Sequence, residues 1–185
     1  MGVIIKNTIK ASLVNYIGVV IGIISVLYLQ TMILSPSQIG KIQLIIDKTY
    51  LFSPFILFGL VGAVARFSHI FKSKKGYSGF LSWSLITPFV SYLIACILFY
   101  VFAEDREYIF EFYIILFFSV YINLFESALT TKAKIVFPLV LRAIVVRLIM
   151  ILNLVFYFFN LYSFDGFITG FVITHFSHFA ILACS

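Results

Sequence analysis

The chain reads as an all-α, polytopic membrane protein: a single domain over residues 1–185, folded as a bundle of six transmembrane helices. Three observations say so. Six apolar stretches fill most of the length. Hydrophobic residues make up 63% and charged residues only 11%, too little polar surface for a soluble chain of 185 residues to cover its core. The lysines and arginines gather in alternate connections. Lipid offers backbone N–H and C=O groups no partners, and no stretch alternates like a strand over ten-residue units, so helices are expected rather than a barrel.

The spans are expected at residues 11–34, 42–65, 80–103, 109–129, 139–160 and 167–183. Crossing a bilayer needs about 20 largely apolar residues, and all but the last reach that length comfortably. Span 1 follows Lys6 and Lys10 and carries Gly18 and Gly22. It is too long for a signal-peptide core and no small-residue cleavage site follows it, so it is expected to stay as an anchor. Ser35-Pro36-Ser37-Gln38 turns the chain into span 2, which holds Asp47, Lys48, Pro54, Gly59 and Gly62. A basic run at 66–78, with Arg66, Lys72, Lys74 and Lys75, leads to span 3 with Pro88 and Cys96. The acidic turn Glu104-Asp105-Arg106-Glu107 leads to span 4, which ends near Asn123 and Glu126. Lys132 and Lys134 precede span 5, with Arg142, Arg147 and Asn153, and Ser163-Phe164-Asp165-Gly166 opens span 6, with His175 and His178.

Such short connections make consecutive helices antiparallel neighbours. The GxxxG spacings Gly18/Gly22 and Gly166/Gly170 let helix backbones approach closely in lipid, and packing within the bundle is expected of them rather than dimerisation. Pro54 and Pro88 each remove an intrahelical hydrogen bond and allow bends. There is no internal repeat and no second domain.

Ten of the thirteen Lys and Arg residues fall on one side: Lys6, Lys10, Arg66, Lys72, Lys74, Lys75, Lys132, Lys134, Arg142 and Arg147. Lys41, Lys48 and Arg106 fall on the other, beside Glu104, Asp105, Glu107 and Asp165. By the positive-inside rule both termini are expected in the cytoplasm of a cell whose inner membrane holds the chain. The net charge of +6 is read as topology and contact with membrane lipid headgroups, since no soluble domain exists to hold nucleic acid. Cys96 and Cys184 form neither a disulfide framework nor a metal spacing.

Charge inside a span is costly, about 2.5–3.5 kcal/mol at a helix centre on insertion scales, so the exceptions are the candidate site. Asp47 shares a helix face with Tyr50 and Pro54; it either faces a cavity or forms a near-interface pair with Lys48, whose long side chain can snorkel. Arg142 and Arg147 stand about 140° apart around span 5, so one can face the bundle while the other reaches headgroups. With Arg66 they would make a cationic mouth for a phosphate-bearing ligand, because guanidinium pairs with phosphate through parallel hydrogen bonds. His175 and His178 share a face without further ligands for a metal; they read as a polar bundle-facing face, with proton coupling as the other use. Glu126 faces water or pairs with a nearby lysine. No phosphate loop, HExxH, aspartate-rich run or GxSxG element is present, so neither an enzyme nor a cofactor is expected.

Several motifs have a familiar order: Lys6-Asn7-Thr8 before Gly18/Gly22; Leu34-Ser35-Pro36-Ser37-Gln38-Ile39-Gly40; Gly59-Leu60 then Arg66-Phe67; Lys74-Lys75-Gly76-Tyr77-Ser78-Gly79-Phe80-Leu81; and Ser163-Phe164-Asp165-Gly166-Phe167. In that order they resemble the N-terminal lobe of the oligosaccharide and polysaccharide flippases, the O-antigen type within the multidrug/oligosaccharidyl-lipid/polysaccharide exporter superfamily. Those transporters have two six-helix lobes around a central cavity, and this chain stops after one. The resemblance implies polysaccharide biosynthesis: translocation of a polyprenyl-pyrophosphate-linked oligosaccharide, by a fragment or half-transporter that needs a second lobe or a second copy. Charge and depth then assign Arg66, Arg142 and Arg147 to the diphosphate, and Asp47, Lys48 and His175 to coupling or gating. The competing reading is a non-transporting membrane scaffold or assembly partner in a polysaccharide synthesis complex.

Overall fold

In the computed structural model, which describes residues 2–71, 77–102, 107–131 and 136–184, every regular element is a helix. Lys72, Lys74, Lys75, Gly76, Glu104, Asp105, Arg106, Lys132 and Lys134 lie outside the described residues. The first helix, α1, runs Gly2–Ile23 and continues through a π-helical stretch, Ile24–Gln30, to Thr31–Ile33. Next come α2 (Pro36–Leu57), α3 (Leu60–Phe71), α4 (Tyr77–Phe102) and α5 (Ile109–Thr131). The sixth, α6, begins as Val136–Val140, passes a π-helical stretch at Leu141–Val145 and ends as Val146–Phe158; α7 is Phe164–Ala183. Among the described residues, five helices are long and apolar enough to cross a membrane, or six spans if α2 and α3 count as one broken span. The chain is a multi-pass membrane protein.

The Ser35-Pro36-Ser37-Gln38 turn starts α2 as a reciprocal cap. The Gln38 amide donates to Ser35 Oγ at 3.3 Å and the Ser35 amide to Gln38 Oε1 at 2.9 Å, with Pro36 in the first turn, where its missing N–H is not needed. Gln38 Nε2 also donates to the Tyr157 hydroxyl at 3.0 Å, tying this start to the end of α6.

Where the sequence suggests one bent span at 42–65, the structure has two helices inclined by 54°. The bend follows Pro54 by one turn, at Phe58 and Gly59, both with left-handed backbones (φ 41° and 75°). A glycine adopts that conformation freely; a phenylalanine there costs about 1–2 kcal/mol. Phe58→Gly should therefore raise the unfolding temperature, and Gly59→Val should lower it. A thermal melt of the purified variants checks both; the opposite ordering would show that the break is imposed by tertiary packing.

The hub of the bundle is α5. Half of its spanning stretch is buried, against 11% for α4, and α2, α3, α4 and α7 all pack on it. Its core is Phe112, Ile115, Leu116, Val120 and Leu124. Lipid cannot satisfy polar side chains, and three hydroxyls on α5 bond to neighbouring helices. The Tyr113 hydroxyl donates to the Cys96 carbonyl at 3.1 Å and the Tyr121 hydroxyl to that of Leu85 at 3.0 Å, both on α4. The Ser127 hydroxyl donates to the Val61 carbonyl at 2.8 Å, just past the break between α2 and α3.

At one end of the bundle Lys41 pairs with Glu107, and its ammonium lies 5.5 Å from the centre of the Tyr108 ring. The Tyr108 hydroxyl donates to Asp165 at 2.9 Å. Desolvation, and then that bond, push this hydroxyl up to about 12, so it remains a donor at neutral pH. These contacts gather the starts of α2, α5 and α7.

Three of the four GxxxG glycines seat their helices on α6, while Gly166 meets Tyr162 in the connection that follows it. A side chain added at Gly18 would lie 2.7 Å from the Ala143 Cβ, and one at Gly22 would strike the Arg147 guanidinium. Gly170 is closed in the same way by Asn153.

Candidate functional site

Between α1, α2 and α6 lies a groove of about 510 Å³, within the range typical of ligand sites. Its wall includes Ser25 and Gln30 from the π-helical stretch of α1, Gln43 and Tyr50 from α2, and Arg147 from α6. Glycine at position 22 is what admits the guanidinium: an added Cβ would sit 2.9 Å from Arg147 Cζ. One nitrogen of Arg147, Nη1, is buried and has no hydrogen-bond partner, and no carboxylate lies within ion-pair reach among the described residues. An unmatched cation within a span, on a wall with two amides and two hydroxyls, suits an anion that accepts several hydrogen bonds.

Asp47 is exposed and accepts from Gln43 Nε2 at 2.9 Å. Gln43, Asp47, Tyr50 and Pro54 recur at helical spacing and are all exposed, making a polar strip on α2 beside the groove. Lys48 is not Asp47's partner. It is half-buried, with its ammonium 5.6 Å from the centre of the Phe99 ring on α4, in a cavity of about 40 Å³ shared with Lys41, Glu107 and Tyr108. That volume holds a few waters at most.

The three arginines do not meet in one mouth. Arg147 lines the groove, whereas Arg66 is exposed on α3 in a shallow depression with Gly62 and Phe67 of its own helix. Arg142, whose side chain is 62% exposed, lies 3.5 Å from Glu126 Oε2. The cause is rotational: Arg142 and Arg147 point to different sides of α6, towards α5 and towards α1.

His175 places Nδ1 3.1 Å from the Phe171 carbonyl of its own helix, its ring against that of Phe171. His178 is buried and turns to α5, where Nε2 is 3.7 Å from Glu126 Oε1. Glu126 is thus met by Arg142 and His178, a grouping that reading the spans singly misses. The sequence signal was its depth, one to two turns from the same bundle end as both partners. Among the described residues, no three His, Cys, Asp or Glu side chains converge as a metal site.

No protein-family model, curated protein or solved structure matches the chain.

Proposed function

We propose that the chain is one six-helix lobe of a flippase, carrying polyprenyl-pyrophosphate-linked oligosaccharide from the cytoplasmic to the outer leaflet of the inner cell membrane. The observation that carries this reading is Arg147, a charged group in a span with a buried unpartnered nitrogen on a polar groove of about 510 Å³. A diphosphate has the charge and the acceptor oxygens to fill that vacancy, and arginine meets phosphate through paired hydrogen bonds. Arg66 and Arg142, both exposed, receive the diphosphate at the cytoplasmic surface, and Arg147 holds it deeper. The distribution of basic residues sets the orientation, with both termini cytoplasmic.

The exposed strip of Gln43, Asp47, Tyr50 and Pro54 supports a second lobe or second copy opposite the groove, because a carboxylate in a span is stable only facing protein or water. Rocking of two such units about their shared site would give each leaflet access in turn. Asp47 then gates the interface, and Lys48 and His175, set apart from it, serve coupling.

In a cell lacking its flippase, the 185-residue chain alone should not restore surface polysaccharide, and supplying a second six-helix lobe should. With both present, Arg147→Ala should cut surface glycan about tenfold or more, the effect of losing one charge-assisted contact, at matched membrane levels. Rescue insensitive to Arg147→Ala would favour an assembly partner over a transporter.

A further inference from the structure

Where α5, α6 and α7 meet, two buried polar atoms face one another with nothing between them. Glu126 Oε1 and His178 Nε2 are 3.7 Å apart, and among the described residues neither has a hydrogen-bond partner. The side chains are 16% and 5% exposed, while that of Arg142, on Glu126's other oxygen, is 62% exposed. Nearby, His175 has its Nδ1 at the Phe171 carbonyl. Of the other helices packed here, α3 brings exposed Arg66 and α1 exposed Lys10. No third metal-ligating side chain joins the pair among the described residues.

We propose that Glu126 and His178 form a proton-binding site, and that its loading releases Arg142 from α5. With no added proton, Glu126 is a carboxylate, His178 is neutral and Arg142 balances the charge, so the junction carries none. A proton arriving from the aqueous end would leave the junction with one net positive charge in a low-dielectric interior, a costly state. Arg142 can carry that charge out, by extending its exposed guanidinium to the headgroups. What stays is a neutral carboxyl donating its O–H to the imidazole nitrogen, which satisfies both vacant atoms at once. Arg142 lies in the π-helical stretch Leu141–Val145, the kind of irregular turn that recurs at functional sites in helices. The proton site stands whether or not the chain carries lipid-linked glycan.

The test uses the full chain in lipid nanodiscs, titrated from about pH 8 to about pH 5. Infrared difference spectra should show a protonated-carboxyl band that grows on acidification and is missing in Glu126→Gln; in His178→Gln its midpoint should move by about tenfold or more in proton concentration. The sequence has only four arginines, Arg66, Arg106, Arg142 and Arg147, so selective nitrogen labelling with Arg142→Lys as reference identifies the Arg142 side-chain signal. That signal should shift with the midpoint of the carboxyl band. A band that persists in Glu126→Gln, or an Arg142 signal that ignores pH, overturns the proposal. Should Glu126→Gln fail to fold, the wild-type arginine signal decides alone.

Discussion

Gly18→Ala should destabilise the bundle, whereas Gly22→Ala should leave it nearly as stable but impair its groove. At Gly18 the new methyl would meet the Ala143 Cβ at 2.7 Å and its carbonyl oxygen at 3.1 Å, neither of which can move without shifting α6. Overpacking of that kind costs about 1–3 kcal/mol. At Gly22 the obstacle is the end of a flexible side chain, the Arg147 guanidinium, which can swing away. Thermal melts of detergent-purified variants should rank Gly18→Ala well below Gly22→Ala. Rescue of surface glycan together with a second lobe should show loss in Gly22→Ala at near-normal stability. Equal melting temperatures would mean that α1 does not rest on α6 through this seam.

Asn153 is the second site where one substitution should matter. It is buried, its Nδ2 donates to the Phe167 carbonyl at 3.0 Å, and it accepts from the Tyr162 hydroxyl while closing over Gly170. Asn153→Leu removes the amide's bond to the Phe167 carbonyl and one of the two acceptors of the Tyr162 hydroxyl, which keeps the Asn153 backbone carbonyl at 2.5 Å, and it sets a branched side chain against a glycine face. About 1–3 kcal/mol should be lost from overpacking against Gly170 alone. Tyr162→Phe should cost less in that background than in the wild type, because the hydroxyl has already lost its bond to the Asn153 amide. A double-mutant cycle on unfolding midpoints measures the coupling, and additive losses would show that the contact contributes nothing.

The spans are legible because apolar length is a local property: residues 11–34 and 109–129 announce themselves, and the structure has spans at Asn7–Ile33 and Ile109–Thr130. Pro54 signals a bend, yet its position depends on where the chain can adopt a left-handed backbone, and that falls at Phe58 and Gly59. The π-helical stretches Ile24–Gln30 and Leu141–Val145 leave no mark in hydropathy, because one extra residue per turn does not change composition. Partnerships between spans need the rotation of each helix about its axis. That is why grouping Arg66, Arg142 and Arg147 by their end of the bundle does not anticipate three separate settings, and why facing water or pairing with a lysine, the two expectations for Glu126, leave out Arg142 and His178. Gly22 was legible as a packing residue; that its missing side chain makes room for Arg147 was not.

The central claim is that the groove beside Arg147 meets the lipid-linked diphosphate, and photocrosslinking tests it most directly. A photoreactive residue is placed at Gln43 or Tyr50, on the groove wall, and at Ile94, exposed on α4, in cells making radiolabelled polyprenyl-pyrophosphate-linked oligosaccharide and supplied with a second lobe. Labelled adducts should form at positions 43 and 50, fall sharply with Arg147→Ala, and be no more than background at position 94. Equal labelling at all three positions, or none at 43 and 50 with the protein correctly inserted, would contradict the account.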